Sequence, residues 1–547
     1  MDFPHLSVTI LEFHTVADSG EKVIAREAPE IWASGRVKYA RGSCIEPWPK
    51  ELDGLKADVA FLSYVSESVP AHTLPALYKN AYDHLTENGV FLAHSFMVDD
   101  TLDGPINAAM HCLEHIAVSP EGAGLCPKYV EEIMISQGYE HTDRHEVIRG
   151  LTKMVVGHKK WEGREKSLAF EPEASGTSSG AKGQMEWERV AYGFFSSVAL
   201  FAAIEMDVFE HINAGIKTIE GLKKACNCEK PRLQTMITAL CSEKMIKRSP
   251  AGEYTLPRVV AKYLTKKSDY YYGDMLLWQY QKQWKKQWYP KMARFTHIMK
   301  TGETPDYKEW FSNPEEASAY TKGQWNGSIK SADMLQNYVD FSKVKHVLDI
   351  GGGPGAFAVR LAMDFPHLSV TILEFHTVAD SGEKIIAREA PEIWASGRVK
   401  YARGSCIEPW PKELDGMQAD VAFLSYVSES VPAHTLPELY KNAHQALNEN
   451  GVFLAHSFMV DDTLDGPINA ALHCVEHIAV SPQGAGLHPK YVEEVMKRVG
   501  YEHTDRHEVI RGLTKMVVGH KGWKGRDKSI AKEPEDTGMD EIKLLGA

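Results

Sequence analysis

Basic charge is scarce in this chain: 61 Lys and Arg stand against 74 Asp and Glu, for a formal net charge of -13. A general nucleic-acid binder needs a basic surface to neutralise phosphates, so no nucleic-acid partner is expected, although one local arginine can still hold a small anion. No apolar run reaches the ~18 residues of a membrane helix. The first 30 residues carry acids without an apolar core segment, which speaks for a cytoplasmic protein with neither membrane partner nor secretory signal. Cysteine is sparse, eight in 547 residues, and none forms a zinc-spaced cluster; Cys226 and Cys228 are not read as a metal site. The remaining composition, 43% hydrophobic and 25% charged, is that of a globular protein. At ~150 residues per domain, about three to four domains are expected.

The chain contains part of itself. Residues 1–159 return as 363–521 at a constant offset of 362, with 16 of the 159 pairs different. The echo continues more loosely, WEGREKSLAFEPE (161–173) against WKGRDKSIAKEPE (523–535), and ASGTSSGAKG (174–183) reads as a flexible linker. Near-identity of this degree points to a recent tandem duplication, and an engineered fusion or a truncated gene would give the same sequence. Met1 pairs with the mid-domain Met363, which fits a start inside a once complete upstream copy.

Within the complete unit, VAYGFFSSVALFAAIEMDVFEHI repeats apolar residues at three- and four-residue spacing and predicts a largely buried helix. TIEGLKKACN and KPRLQTMITALCSEKMIKR predict two more, followed by a two-strand wing around EYTLP, a winged-helix pattern suited to dimer contact. Residues 270–340 are rich in Tyr and Trp and predict helices that either wall a site or pack between domains.

From 346 the pattern changes to alternating strands and helices. HVLDI (346–350) reads as a short strand, and GGGPG then turns the chain into a helix whose first amides are unpaired. The next strand ends on Glu374, 23 residues after Gly351, where a carboxylate can take two ribose hydroxyls. GGGPG is not the GxGxxG dinucleotide fingerprint, so a nucleoside cofactor without pyrophosphate fits better than NAD.

VLDIGGGPG, the acidic end of the second strand, the preceding winged helix and the later strand DVAFLSYV together resemble the S-adenosylmethionine-dependent small-molecule O-methyltransferases. The resemblance covers about 186–522, and again the C-terminal half of that family over 1–159. It implies an α/β fold: a Rossmann-like methyltransferase domain preceded by a mainly helical winged-helix dimerisation domain, plus an N-terminal partial duplicate. The implied layout is a partial repeat over 1–173, a linker over 174–184, dimerisation over 185–268, a helical pocket segment over 269–340, the cofactor-binding domain over 341–522 and a tail over 523–547. It also implies a homodimer, S-adenosylmethionine as cofactor and no metal. Asp349, Gly351, Gly353 and Gly355 would surround the methionine part of that cofactor and Glu374 its ribose. Ser405 and Cys406 would lie near adenine, where the family's aspartate is missing, and Ser425 ends the strand beside the site.

The main departure is at Glu429, which stands where the family carries its base histidine; the family's orienting acid would fall near Leu487, which cannot serve. Loss of both suggests an acceptor with no proton to lose. The expected acceptor is a thioether, 4-methylthio-2-hydroxybutyrate, made into a sulfonium in dimethylsulfoniopropionate synthesis, with Glu429 and Tyr426 favouring the developing positive charge. Its carboxylate would need an arginine such as Arg294, Arg403 or Arg506. His473 and His477 share a helix face and keep open O-methylation of a small phenol or hydroxy acid; a zinc reading with Glu476 is set aside. A non-catalytic, cofactor-sensing scaffold is the third reading. The N-terminal repeat keeps Glu12, Glu67, His111 and His115 but has no mate for the first strand and glycine turn, so it is not expected to act alone.

Overall fold

The computed structural model describes residues 3, 5–118, 124–169, 178–268, 270–280, 293–303, 311–480 and 486–534. By internal contact the chain forms two units, Met1–Ala261 and Lys262–Ala547.

In the first unit, the N-terminal repeat supplies strands β1 (Val8–Glu12), β2 (Val37–Arg41), β3 (Ala57–Ser63), β4 (Leu85–Phe96), β5 (His141–Ile148) and β6 (Thr152–His158), and helix α1 (Ile106–Val118). The dimerisation segment adds helix α2 (Ser178–Glu205), helix α3 (Lys230–Ser242) and the antiparallel wing β7 (Lys247–Arg248) and β8 (Tyr254–Thr255). The wing lies where the sequence predicts it. Helix α2 differs from expectation at both ends. It begins at Ser178, inside the stretch read as a linker, and it stops at Glu205 because Asp207 turns left-handed at φ 55° before a separate helix, Val208–Asn213.

The second unit is a seven-stranded sheet of β9 (His346–Ile350), β10 (Ser369–Glu374), β11 (Val399–Arg403), β12 (Ala419–Ser425), β13 (Leu447–Phe458), β14 (His503–Ile510) and β15 (Thr514–His520), in the order β11-β10-β9-β12-β13-β15-β14. Its first five strands run parallel and the β13–β15–β14 edge is antiparallel. HVLDI is buried over Val347–Ile350 because it is an interior strand, paired on both sides by β10 and β12. Helix α4 (Ala356–Asp364) follows the glycine turn, and helix α5 (Ile468–Val480) follows β13. Of the segment expected as a tail, residues up to Pro534 are described, and they pack back on the domain. Asp340 donates its N–H to the Ile530 carbonyl, Lys532 donates to Tyr338, and Ala531 is buried in the core beside Val339.

The two copies show what β9 does. In the complete domain β10 and β12 both pair with β9. In the repeat, where no such strand occurs among the described residues, the sheet splits into β1–β2 and β3–β4–β6–β5. Identical side chains then change environment: Phe61 is 63% exposed whereas its mate Phe423 is 3% exposed.

Candidate functional site

The carboxyl ends of β9, β10 and β12 gather the residues singled out in the sequence. After β9 the chain must turn at once, and Gly351, Gly353 and Gly355 take φ of 70°, 53° and 78°. Those left-handed angles favour glycine, which has no Cβ to strain there. The turn is tied down on all sides. Gly351 donates to the Leu373 carbonyl (2.8 Å), Gly353 to Glu374 Oε2 (2.9 Å), and the Tyr401 hydroxyl to the Gly353 carbonyl (3.0 Å). Tyr401 escaped the sequence reading. Its register opposite Ile372, an inward-facing position of the neighbouring strand, was the available signal.

Asp349 and Glu374 are both buried beneath this turn. Burial pushes the Asp349 carboxyl up to about 7, and the Glu374 charge adds to the shift. Burial also lifts Glu374 to about 7, against the opposing N–H groups of Phe375 and Gly353. Asp349 Oδ2 has no hydrogen-bond partner among the described residues. A Cβ at Gly353 would meet nothing within 4 Å, whereas one at Gly352 would collide with Asp349 Oδ2 at 2.4 Å. A buried orphan oxygen beside open space over a glycine is a cradle for a polar ligand, and it fits the amine-and-ribose chemistry of S-adenosylmethionine.

Around the cradle, Ser405 is buried and its Oγ accepts from Ile407 N–H at 3.4 Å. Burial pushes the Cys406 thiol up to about 12, so it stays a neutral packing group. Ser425 Oγ is hydrogen-bonded to His456 Nδ1 at 2.9 Å. Burial lowers His456 to about 3, which keeps it neutral. His456 was also missed; a histidine inside the apolar run VFLAHSF is the mark of a buried one.

The second cluster lies just beyond β12. Tyr426 adopts φ 57° and packs its ring on His456 and Phe458, at centroid distances of 4.8 and 4.7 Å. Glu429 is fully buried and accepts a hydrogen bond from Ser457 Oγ, while Oε1 has no hydrogen-bond partner among the described residues. His477, 48 residues later on α5, brings Nε2 to 3.9 Å from Glu429 Oε1. His477 Nδ1–H donates to the His473 carbonyl (2.7 Å), which leaves Nε2 of the neutral ring as the lone-pair nitrogen facing the carboxyl. Burial raises the Glu429 carboxyl, and the nearby His477 opposes that rise. His473 stacks on Phe458 at 3.8 Å and pairs through Nδ1 with Glu476 at 2.9 Å, so it does not join the Glu429 pair.

Other expectations come out differently. Leu487 is buried against Met459 and orients nothing. The three arginines considered for a substrate carboxylate already face protein carboxylates. Arg403 pairs with Asp380 and Glu383, Arg506 with Asp462 and Glu493, and Arg294 lies 3.9 Å from Glu303. Much of the Tyr- and Trp-rich segment after Tyr280 lies outside the described residues. No group of three metal-binding side chains occurs among the described residues, and no helix there is long and apolar enough to cross a membrane.

Comparison with known proteins adds two domain matches. Residues 282–502 match the O-methyltransferase domain and 188–266 the O-methyltransferase dimerisation domain. A 3-hydroxy-5-methyl-1-naphthoate 3-O-methyltransferase of Streptomyces sahachiroi is 26% identical over 52% of this chain and 79% of its own. The tetracenomycin polyketide synthesis 8-O-methyl transferase TcmO of Streptomyces glaucescens is 21% identical over 61% of this chain and 95% of its own. Human N-acetylserotonin methyltransferase, solved with S-adenosylmethionine, shares the fold at a TM-score of 0.53 and 16% identity, covering 64% of this chain and all (100%) of that one.

Proposed function

Since the chain is an S-adenosylmethionine-dependent methyltransferase carrying an O-methyltransferase domain and its dimerisation domain, we propose that it methylates a hydroxyl of a small phenol or hydroxy acid, with His477 and Glu429 as the proton-accepting pair. The observation that carries this reading is the 3.9 Å approach of His477 Nε2 to the buried Glu429. The sequence has a carboxylate where relatives place a histidine, and a histidine from another helix meets that carboxylate. Bound in the cradle, S-adenosylmethionine supplies a methyl group carried on a sulfonium. Asp349, Gly351, Gly353, Gly355, Glu374, Ser405, Cys406 and Ser425 are the residues that would hold it.

His477 Nε2 takes the hydroxyl proton as the oxygen attacks. Glu429 stabilises the imidazolium that forms, because a carboxylate in a water-poor site acts strongly on a nearby positive charge. The His473 carbonyl fixes the ring by holding Nδ1–H. Tyr426 and Phe458 supply flat apolar surface beside the pair.

A thioether acceptor, 4-methylthio-2-hydroxybutyrate, is the second reading, favoured by Glu429 at the usual base position. Sulfur attack releases no proton and has no use for His477. The test is methyl transfer from labelled S-adenosylmethionine to phenols, hydroxy acids and this thioether acid, with products identified by mass spectrometry, for wild type and His477→Asn. Ether products that fall ~10²–10⁴-fold in the variant support O-methylation by this pair. A sulfonium product, equally fast in both proteins, would establish the thioether reading instead.

A further inference from the structure

Helices α1 and α5 are the same helix in two copies, and they sit in opposite surroundings. On α5 the face formed by Ile468, Leu472 and Val475 is open to solvent, with Leu472 58% and Val475 40% exposed. On α1 the corresponding Met110 and Leu113 are 2% and 7% exposed. The cover is the dimerisation segment. Both α2 and α3 pack along α1. The Tyr192 ring lies 4.2 Å from that of His111, Ser196 Oγ reaches Met110 Sδ at 3.0 Å, and Gly124 N–H donates to Thr235 Oγ1 at 3.0 Å. Arg248 closes the edge by donating to the Thr101 carbonyl at 2.8 Å. Each contacted group of the repeat has a counterpart in the complete domain: Leu472, His473, Gly486 and Thr463.

The chain therefore offers two nearly identical surfaces and holds one dimerisation domain to receive them. Two of the 16 differences between the copies, Met110 for Leu472 and Leu113 for Val475, fall on this face. In both, the covered copy has the longer side chain, and methionine fills an irregular gap well. We propose that the N-terminal repeat is a built-in decoy of the catalytic domain: it occupies, within its own chain, the α2–α3 seat that helix α5 of a second copy takes when the repeat is displaced. A tethered surface is present at an effective concentration of ~1 mM, far above micromolar free chain, so the internal copy prevails at comparable affinity. With the repeat seated, Tyr192 packs against His111 of the decoy; with it displaced, Tyr192 is available to His473 of the second copy, on the helix that carries His477.

The proposal concerns contacts and not the methyl acceptor, so its test needs no turnover. In the full chain, Ser196→Cys is combined with either Met110→Cys or Leu472→Cys, treated with a short bismaleimide, and the linked peptides are identified by mass. The expected result is a link within one chain for the Met110 pair and little linking for the Leu472 pair. Adding Met110→Glu to the Leu472 pair should raise linking between chains at least about tenfold. The proposal is overturned if the Met110 pair fails to link or links between chains. It is equally overturned if the Leu472 pair links between chains as readily without Met110→Glu as with it.

Discussion

At the scale of single residues the site consists of acids kept from ionising freely. Asp349 and Glu374 are both lifted to about 7 by burial, against ~4 for the same groups in an unfolded chain. Between those values the native protein holds protons that the unfolded chain has released, so these groups make stability fall as pH rises from about 4 to about 7. Asp349→Asn removes one of them. The melting temperature of the variant, measured without cofactor, should therefore gain on wild type steadily across that window and level off above it. A constant difference would mean that Asp349 is not proton-bound in the native state. The Glu429 pair makes a separate demand. Glu429→Gln keeps the shape and the Ser457 contact but removes the charge opposite His477, so turnover of a hydroxyl acceptor should fall ~10–10²-fold with little change in the acceptor KM. A rise in KM alone would reassign Glu429 to binding. Both partners were legible in the sequence as separate candidates. Their meeting was not, because 48 residues separate them and only the packing of α5 against β13 closes the gap.

At the scale of elements, the internal repeat is a natural deletion experiment on a sheet. The strand HVLDI and the wing around EYTLP were read correctly because short apolar runs bounded by glycine or charge have few alternatives. The left-handed Asp207 and the helical start at Ser178 were not, since a polar, serine-rich stretch carries no periodicity to mark it as helix. What the repeat loses with its first strand is lateral hydrogen bonding on both sides of the gap. Strands β1 and β3 become edges, and Val59 is 50% exposed where Val421 is 1% exposed. Amides of β3 should thus exchange with deuterium faster than those of β12, despite the identical sequence ADVAFLS. Peptides reaching back to Leu55–Lys56 or Met417–Gln418 separate the two copies by mass. Equal protection would show that another strand fills the gap.

For the whole molecule, the chain repeats the acid–histidine pair proposed for catalysis, while the described residues hold the cofactor cradle once. The Glu67–His115 pair, at 3.7 Å, reproduces the 3.9 Å pair of the complete domain almost unchanged. Glu12 is present as the mate of Glu374, yet no glycine turn meets it among the described residues, and its Oε1 accepts from the neighbouring Phe13 N–H. An acid–histidine pair alone offers no seat for a nucleoside; the orphan Asp349 oxygen, the turn and the Glu374 carboxyl lie together at one place among the described residues. Calorimetric titration of the full chain should therefore give one S-adenosylmethionine per chain. Gly352→Val, whose Cβ would collide with Asp349 Oδ2 at 2.4 Å, should remove that single isotherm. Two sites in wild type, or one surviving in the variant, would place a second cradle in the N-terminal repeat and overturn the single-site reading. The cradle would then be doubled like the acid–histidine pair, whereas the described residues hold two such pairs and a single cradle.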